Sequence, residues 1–527
     1  MKKITTLFLI LATAAGLYAQ TADDALNIAQ ERYEGTARSM AMGNAFTALG
    51  GDLGGLGINP AASGVFRHSQ FTFTPTLTFS RSNVDYLGNH ESTTGLGLGL
   101  SNLGVVLSFD TDSYNGLLNY SFGFVYNKKN NFRSKMNARG STNQSSMLGS
   151  YASRLNLYDP NKGWWTDINK ASLEASNAYS NLGEYFWPGI MAWNDYALAP
   201  FYTDEKETNY IYIASTEDYE NGHIQTGGML NQRFNRRTYG GVEEFAFNFG
   251  GNLGDFLYFG ANLNLHTVSQ TTEEYYEEKA QNSRDFQDGF RSMDNSFWLR
   301  TSGAGANFKF GVILTPFGGL RLGATITTPT WYSLTDQWDY TMNTAYDNNN
   351  TYTETSPTGS YTYRLTAPMR WSLGAAYTFL DRALLSVDYE SVNYAKMCYR
   401  TENGNEGDFA ATNMEIRDYF GRSHVVRAGA EVRLNWLLSL RGGYQYYSPA
   451  TSYTKGMHVY SAGIGFNLGD QASIDLAWVR TSTQSTQFML YDDYMTYADK
   501  GYNTVSAPEG TNRFGQSQLT CTFALKF

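Results

Sequence analysis

Cysteine is almost missing from this chain of 527 residues. Only Cys398 and Cys521 occur, far apart and neither close behind the N-terminal apolar run, so no disulfide framework, zinc-type cluster or lipid-bearing N-terminal cysteine can be drawn. Proline is scarce at 11 residues, and beyond the N-terminus no stretch reaches the roughly 18 apolar residues of a membrane helix. That excludes a helical membrane protein. The six histidines, His68, His90, His223, His266, His424 and His458, are scattered, and no H-E-x-x-H or G-x-S-x-G pattern frames a nucleophile or base. No enzyme activity, metal centre or cofactor is therefore expected. Positive charge is in deficit, 39 Lys+Arg against 49 Asp+Glu, which removes the electrostatic footprint of a nucleic-acid binder.

Tyrosine (39) and glycine (52) are plentiful, a balance that suits strands with interfacial aromatic girdles and small inward-facing residues. The last nine residues place Leu519, Cys521, Phe523, Leu525 and Phe527 on one face and Thr520, Thr522, Ala524 and Lys526 on the other. A closing strand of this kind, ending the chain on an aromatic, is how an outer-membrane barrel finishes. At the other end, Lys2 and Lys3 precede an apolar run from Leu7 to Leu17 and a small-residue site before Gln20. Residues 1–19 are expected to be a secretory signal peptide.

Period-two alternation recurs from Phe71 onward, and its connections alternate between short and long. The short ones, Asp110 to Gly116, Gly250 to Asp255, Thr315 to Gly319, Leu380 to Arg382, Arg433 to Asn435 and Asn467 to Gln471, carry the Gly, Asp, Asn or Pro of tight periplasmic turns. The long ones, expected as outer loops, are Asn83 to Thr93, Met136 to Gln232, Thr271 to Asn295, Asp339 to Gly359, Thr401 to Tyr419, Ser448 to Lys455 and Thr481 to Asn512. The segments between them predict an all-β fold over 69–527: a transmembrane antiparallel β-barrel of about 14 strands with a long extracellular loop at 136–232.

Parity sets the faces. Trp371, Leu373, Ala375, Tyr377 and Phe379 point outward and Ser372, Gly374, Ala376 and Thr378 inward; Tyr460, Ala462, Ile464, Phe466 and Leu468 repeat the pattern against Ser461, Gly463, Gly465 and Asn467. The same parity puts Arg321, Arg370, Asp388, Glu390, Arg427, Arg441 and Asp475 inside, where they avoid the roughly 2–4 kcal/mol that an arginine facing lipid at the midplane costs. Inside, these charges either satisfy one another across neighbouring strands or contact a substrate. His266 also falls on the inner face.

Residues 20–68 do not alternate. They read as a short helix from Asp24 to Tyr33, a stretch of small apolar residues and the glycine run Gly50 to Gly57, which no Gly-Lys-Ser/Thr follows and which is therefore no phosphate loop. An empty barrel of this width is an open pore, and a low-charge segment of this size suits a plug.

Within the plug the chain reads Gly35-Thr36-Ala37-Arg38-Ser39-Met40-Ala41-Met42-Gly43-Asn44-Ala45-Phe46-Thr47-Ala48-Leu49-Gly50-Gly51-Asp52, then Ile58-Asn59-Pro60-Ala61-Ala62. This resembles the N-terminal hatch of the FadL/TodX family, in which a small-residue run is followed by Asn-Pro-Ala just before the first barrel strand. Looser echoes occur in Ala367 to Gly374 and in Val426 to Glu431 leading to Leu440 to Tyr444. The resemblance implies an outer-membrane channel, plugged by its hatch, for hydrophobic small molecules such as long-chain fatty acids or aromatic hydrocarbons. It also implies capture by the outer loops and exit sideways through a gap in the wall beside the hatch.

On that reading Gly35, Arg38, Asn59, Pro60 and Ala61 are the candidate hatch or gating residues. Trp164, Trp165, Tyr185, Phe186, Trp187 and Trp193 of the long loop form either an apolar capture groove or a self-packed lid. Arg321, Arg370, Arg427 and Arg441 are the candidate lumen charges, and Gly123 in the third strand, Leu117 to Phe132, is the candidate lateral opening. The expected partners are the hydrophobic cargo, outer-membrane lipid and the barrel-assembly machinery, with no nucleic acid, and the chain is expected to be a monomer. A haem or other ligand receptor and a structural or adhesive barrel are the alternatives; an energised 22-stranded transporter needs a longer chain.

Overall fold

The computed structural model describes residues 20–159, 164–207, 209–380, 382–499 and 501–527, the side chains of 157–167 excepted. The expected signal peptide lies outside the described residues. Fourteen antiparallel strands close into a barrel: β1 (Gln70–Tyr86), β2 (Asn89–Asp110), β3 (Leu117–Asn131, resuming as Ser134–Thr142), β4 (Leu230–Leu253), β5 (Leu257–Ala280), β6 (Phe290–Leu314), β7 (Leu320–Thr327, resuming as Thr330–Tyr346), β8 (Gly359–Ala367, resuming as Arg370–Phe379), β9 (Ala383–Asn393, resuming as Cys398–Thr401), β10 (Arg422–Arg433), β11 (Leu438–Tyr447), β12 (Met457–Asn467), β13 (Ala472–Thr481, resuming as Gln484–Met489) and β14 (Glu509–Lys526). β14 returns to β1, from Gln70 opposite Lys526 to Tyr86 opposite Gly510, so neither terminal strand is left with an open edge. The interruptions of β7 and β8 contain Pro329 and Pro368, which lack the N–H a ladder needs.

Side-chain alternation explains why this sheet closes around a polar interior. Along β1, Thr72, Thr74, Thr76, Thr78, Ser80 and Ser82 are buried inside, whereas Phe71, Phe73, Leu77 and Phe79 are exposed outside. β14 matches it, with Thr520, Thr522 and Ala524 buried and Leu519, Phe523 and Leu525 exposed. An exposed apolar belt of this kind finds its solvent in a bilayer.

The short connections fall where expected; in the turn after β4, Gly254 and Asp255 both adopt positive φ (61° and 58°). The outer connections are shorter than expected because the strands run on above the belt. Asn83 to Thr93 is not a loop but a hairpin that turns on Leu87 and Gly88, and β5 stays paired with β4 as far as Ala280. The long insertion likewise begins after Thr142 and ends before Leu230.

The segment before β1 sits inside the barrel. Thr21 and Asp24 form a reciprocal capping box that starts the helix Ala22–Ala29. It ends four residues short of the expected Tyr33, because Gln30 turns extended and the next residues pair with β3. Thr36 caps Ala37–Ala41, Asp52 caps Leu53–Leu56, and Asn59 caps the 3-10 turn Pro60–Val65. These pieces press directly on glycines of the wall. A Cβ at Gly311 would lie 1.9 Å from Asn59 Oδ1, one at Gly260 2.4 Å from the Pro60 carbonyl, and one at Gly323 2.0 Å from the Thr47 carbonyl. The small inward residues thus make the wall thin where the segment rests.

Candidate functional site

The ladder between β2 and β3 stops partway. β2 and β3 pair only from Asn102 opposite Asn127 down to Asp110 opposite Asn119. Above that rung, residues 89–101 of β2 pair with β1 and not with β3, and β3 from Lys128 upward pairs with β4 and not with β2. Both strands bulge at this point. The pairing of β1 with β2 shifts at Thr74/Pro75, leaving Ser101 extra, and that of β4 with β3 shifts at Val242/Glu243, leaving Lys129 extra. Bulges bend strands, and here two neighbours diverge.

The result is a slot in the lipid-facing wall. Its β2 edge alternates Gly95, Gly97 and Gly99 with Leu96 and Leu98, which are 63% and 75% exposed, more than the other belt leucines of β1 and β2. A Cβ on Gly99 would meet nothing within 4 Å. At the top, Leu87 packs on Gly140 and Arg139 pairs with Glu91.

The N-terminal segment stands behind this slot. Arg32 and Glu34 donate their backbone N–H to the carbonyls of Lys129 and Lys128, each at 2.8 Å, on the β3 edge that β2 leaves free. The Glu34 carboxylate accepts from Ser101 Oγ at 3.1 Å and from Gln518, so it spans the gap from inside. Glu31 anchors the same stretch, 2.8 Å from Lys129 Nζ and 3.4 Å from Arg370 Nε. Lys129 continues to Glu244 at 3.1 Å, and Arg370 to Glu390 at 2.9 Å, which also holds Arg427 at 3.0 Å. Burying a charge is costly unless it is paired, and here the pairs tie the segment to both sides of the lumen.

Every expected lumen charge does face inward. Arg370, Arg427, Glu390, Asp388 and Asp475 are buried, and Arg441 bonds Asp475 and, at 2.6 Å, Glu431. Arg321 donates to the Leu49 carbonyl and Asp388 accepts from the Thr47 N–H at 2.8 Å, so these groups also serve the N-terminal segment. Of the hatch candidates, Arg38 pairs with Glu431 at 2.9 Å. Asn59 is fully buried; its amide donates to the Thr47 carbonyl at 2.6 Å and the Val312 carbonyl at 3.2 Å, and its Oδ1 accepts from the Ala61 N–H at 3.0 Å. The Pro60 carbonyl accepts from Asn248 at 3.0 Å, and Gly35 lies so close to Ser39 and Gly54 that a side chain has no room. Gly123 requires a correction. It sits in an unbroken ladder, opposite Val106 and Asn248, and packs inward against Leu56, so the break lies higher, at Lys128 and Lys129.

Glu34 lines a small cavity with about 50 Å³ of room for solvent, together with Met40, Met457, Val459 and Val479 and with the polar Arg32, Asn44, Asn130, Asn131, Gln445, Gln516 and Gln518. Arg32 donates from Nη2 to Gln30 at 3.2 Å, its Nε has no partner, and among the described residues no carboxylate oxygen lies within 4 Å of it. Arg32 is the guanidinium in this lining of mixed apolar and polar character.

The insertion after β3 folds as a cap on the extended strands. Leu148, Tyr151 and Leu155 of the helix Met147–Leu155 and Ile190 and Met191 of Trp187–Asn194 share a core with Phe290, Met293, Trp338 and Met342. Trp187 is buried, its ring tilted against Trp338 with centres 6.0 Å apart, and Trp193 packs edge-on at 5.5 Å to Tyr212. Tyr185 and Phe186 are half-buried at its rim; the side chains of Trp164 and Trp165 lie outside the described residues. Trp187 is thus taken up in the cap's own core rather than left lining an open groove. Burial inside it pushes the carboxyls of Asp195 and Glu217 up to about 7.

The slot and Arg32 were missed by sequence reasoning, although both edges carry a signal. Asn127-Lys128-Lys129-Asn130-Asn131 breaks alternation with five polar residues, and Gly95-Leu96-Gly97-Leu98-Gly99 leaves one face without side chains.

No protein-family model and no curated protein matches the sequence. Among solved structures, a Pseudomonas aeruginosa FadL homologue aligns with 95% of this chain and 100% of its own at 11% identity and a TM-score of 0.51. The P. putida toluene transporter TodX aligns with 94% of this chain and 99% of its own at 15% identity and a TM-score of 0.50. At such identities the likeness speaks for architecture, and together with the closed barrel and its internal N-terminal segment it shows that this chain has the FadL/TodX fold.

Proposed function

We propose that the chain is an outer-membrane channel for hydrophobic small molecules, that long-chain fatty acids are its cargo, and that they leave sideways through the slot between β2 and β3. The supporting observation is the slot itself: a ladder that stops at Asn102 and Asn127 inside the apolar belt, flanked by Leu96 and Leu98 and backed by a segment held through two backbone bonds. An acyl chain gains about 0.8 kcal/mol per buried CH₂, so an exit into the bilayer spares it the return to water that a straight pore imposes. Residues 1–19 act as the export signal, 20–68 as the hatch, and Asn59, Pro60 and Ala61 hold it on the wall. Toluene, named for TodX, is likewise hydrophobic but carries no acid; Arg32 favours a cargo that does.

Native mass spectrometry of the purified protein tests this reading. A retained fatty acid, depleted several-fold by Arg32→Gln while the barrel stays folded, is expected. No retained amphiphile, or equal retention in the variant, would remove the fatty-acid assignment.

A further inference from the structure

Above the apolar belt, the outward face carries charge, and part of it is locally matched. Arg139 stands by Glu91, Arg237 by Glu273 and Arg513 by Asp85. Strands β8 to β10 bring together cations without such partners. Arg364 and Arg400 are exposed and directly opposite one another in the ladder, and Arg422 opens the next strand, also exposed, with Lys396 exposed in the connection between the two pieces of β9. Arg400 donates to the Gly404 carbonyl at 3.1 Å and Arg422 to Ser391 Oγ at 3.5 Å, but among the described residues none of the four has a carboxylate oxygen within 4 Å. Like charges directly opposite on neighbouring strands destabilise the pair. Among the described residues no ion pair relieves them.

Their height identifies what does. Two residues inside Arg422, His424 bonds the Tyr389 hydroxyl at 2.6 Å, and Tyr389 packs on Trp371 with ring centres 5.5 Å apart. Met369 is exposed beside them, and below follow Leu373 and Tyr377 on β8 and Val387 and Leu385 on β9. Trp, Tyr and His in one cluster over an aliphatic face mark the interface, where amphipathic rings sit at headgroup level. The arginines therefore begin where acyl chains end and anionic headgroups lie. We propose that Arg364, Arg400 and Arg422, assisted by Lys396, form a docking surface for the phosphorylated headgroup of a lipid in the surrounding outer leaflet. Its chains lie along Trp371, Leu373 and Val387. Guanidinium pairs hold phosphate oxygens in bidentate fashion, which turns the opposed Arg364 and Arg400 from a repulsive pair into two arms of one site.

The test reconstitutes the full chain in phosphatidylcholine nanodiscs doped with lipid A carrying both phosphates and counts retained lipid A by native mass spectrometry. The triple variant Arg364→Gln/Arg400→Gln/Arg422→Gln should lose at least tenfold in retained lipid A. The matched control Arg139→Gln/Arg237→Gln/Arg513→Gln should retain it. Equal loss in both variants, or no loss in the first, overturns the proposal. A second readout guards against altered folding: Arg400→Gln alone should raise Tm in neutral detergent, where it relieves repulsion, and lower Tm relative to wild type when lipid A is present. A change of the same sign in both media also overturns it.

Discussion

Asn59 is the residue whose replacement most directly probes how the hatch is held. Its side chain is fully buried and makes three bonds at once, two as donor to the Thr47 and Val312 carbonyls and one as acceptor from the Ala61 N–H. Asn59→Ala leaves the Thr47 carbonyl and the Ala61 N–H without these partners in a place water does not reach. Each unmet buried group costs about 1–3 kcal/mol, and loss of an N-cap about 0.5–2 kcal/mol, so a combined cost of about 2–4 kcal/mol falls on the seating of the hatch. The ladder of the barrel is untouched. A cost of that size raises the unseated population roughly 30- to 700-fold. Hydrogen exchange of the amides of residues 43–66 should accelerate accordingly, and planar-bilayer conductance for small ions should rise, while heat-modifiable migration on gels stays that of a folded barrel. Gly311→Ala supplies an independent route to the same state, because its Cβ would lie 1.9 Å from Asn59 Oδ1. Wild-type exchange and wild-type conductance in both variants would refute the reasoning.

Two other outcomes follow from the cap. Deleting residues 145–227 should leave a folded, heat-modifiable barrel, since the hairpin extensions remain paired, but should weaken capture of fatty acid from outside; unchanged binding would reduce the insertion to a passive cover. Asp195 and Glu217 sit at about 7 inside the cap, above the roughly 3.9 and 4.3 of free side chains, so the folded cap holds protons that the opened one releases. Its stability is therefore greatest below about pH 4 and falls as pH rises through the window up to about 7. Exchange of cap amides, corrected for intrinsic rate, should quicken between pH 5 and pH 8, and Glu217→Gln should flatten that dependence.

The sequence reveals the belt because lipid demands alternation there. Thr520 and Thr522 against Leu519 and Phe523, or Gly463 against Ile464, can be read without a structure, and so can the inward turn of Arg370, Arg427 and Arg441. Alternation fades where strands rise into water on both faces. Thr272 to Ala280 of β5 reads as a loop, yet it is paired throughout with β4. The hatch is legible through Asn59, Pro60 and Ala61 because a cap and a proline are local signals. Its ties are not local: Glu31 meets Arg370, and Arg38 meets Glu431, across hundreds of residues of chain, and Glu31 also meets the distant Lys129. Gly123 misled for a related reason. A strand glycine marks either a bend or a close neighbour, and here the neighbour is Leu56.

Lateral release rests on the slot between β2 and β3, and closing it reversibly is the most direct measurement. With Cys398 and Cys521 replaced by serine, cysteines introduced by Gly97→Cys and Arg133→Cys face each other across the gap, where Arg133 now covers Gly97. Bridging them with a short bifunctional methanethiosulfonate, then measuring uptake of a labelled long-chain fatty acid into cells, should show uptake collapse and return on reduction. Uptake that stays at the unbridged level while the cross-link is complete would contradict release through the wall.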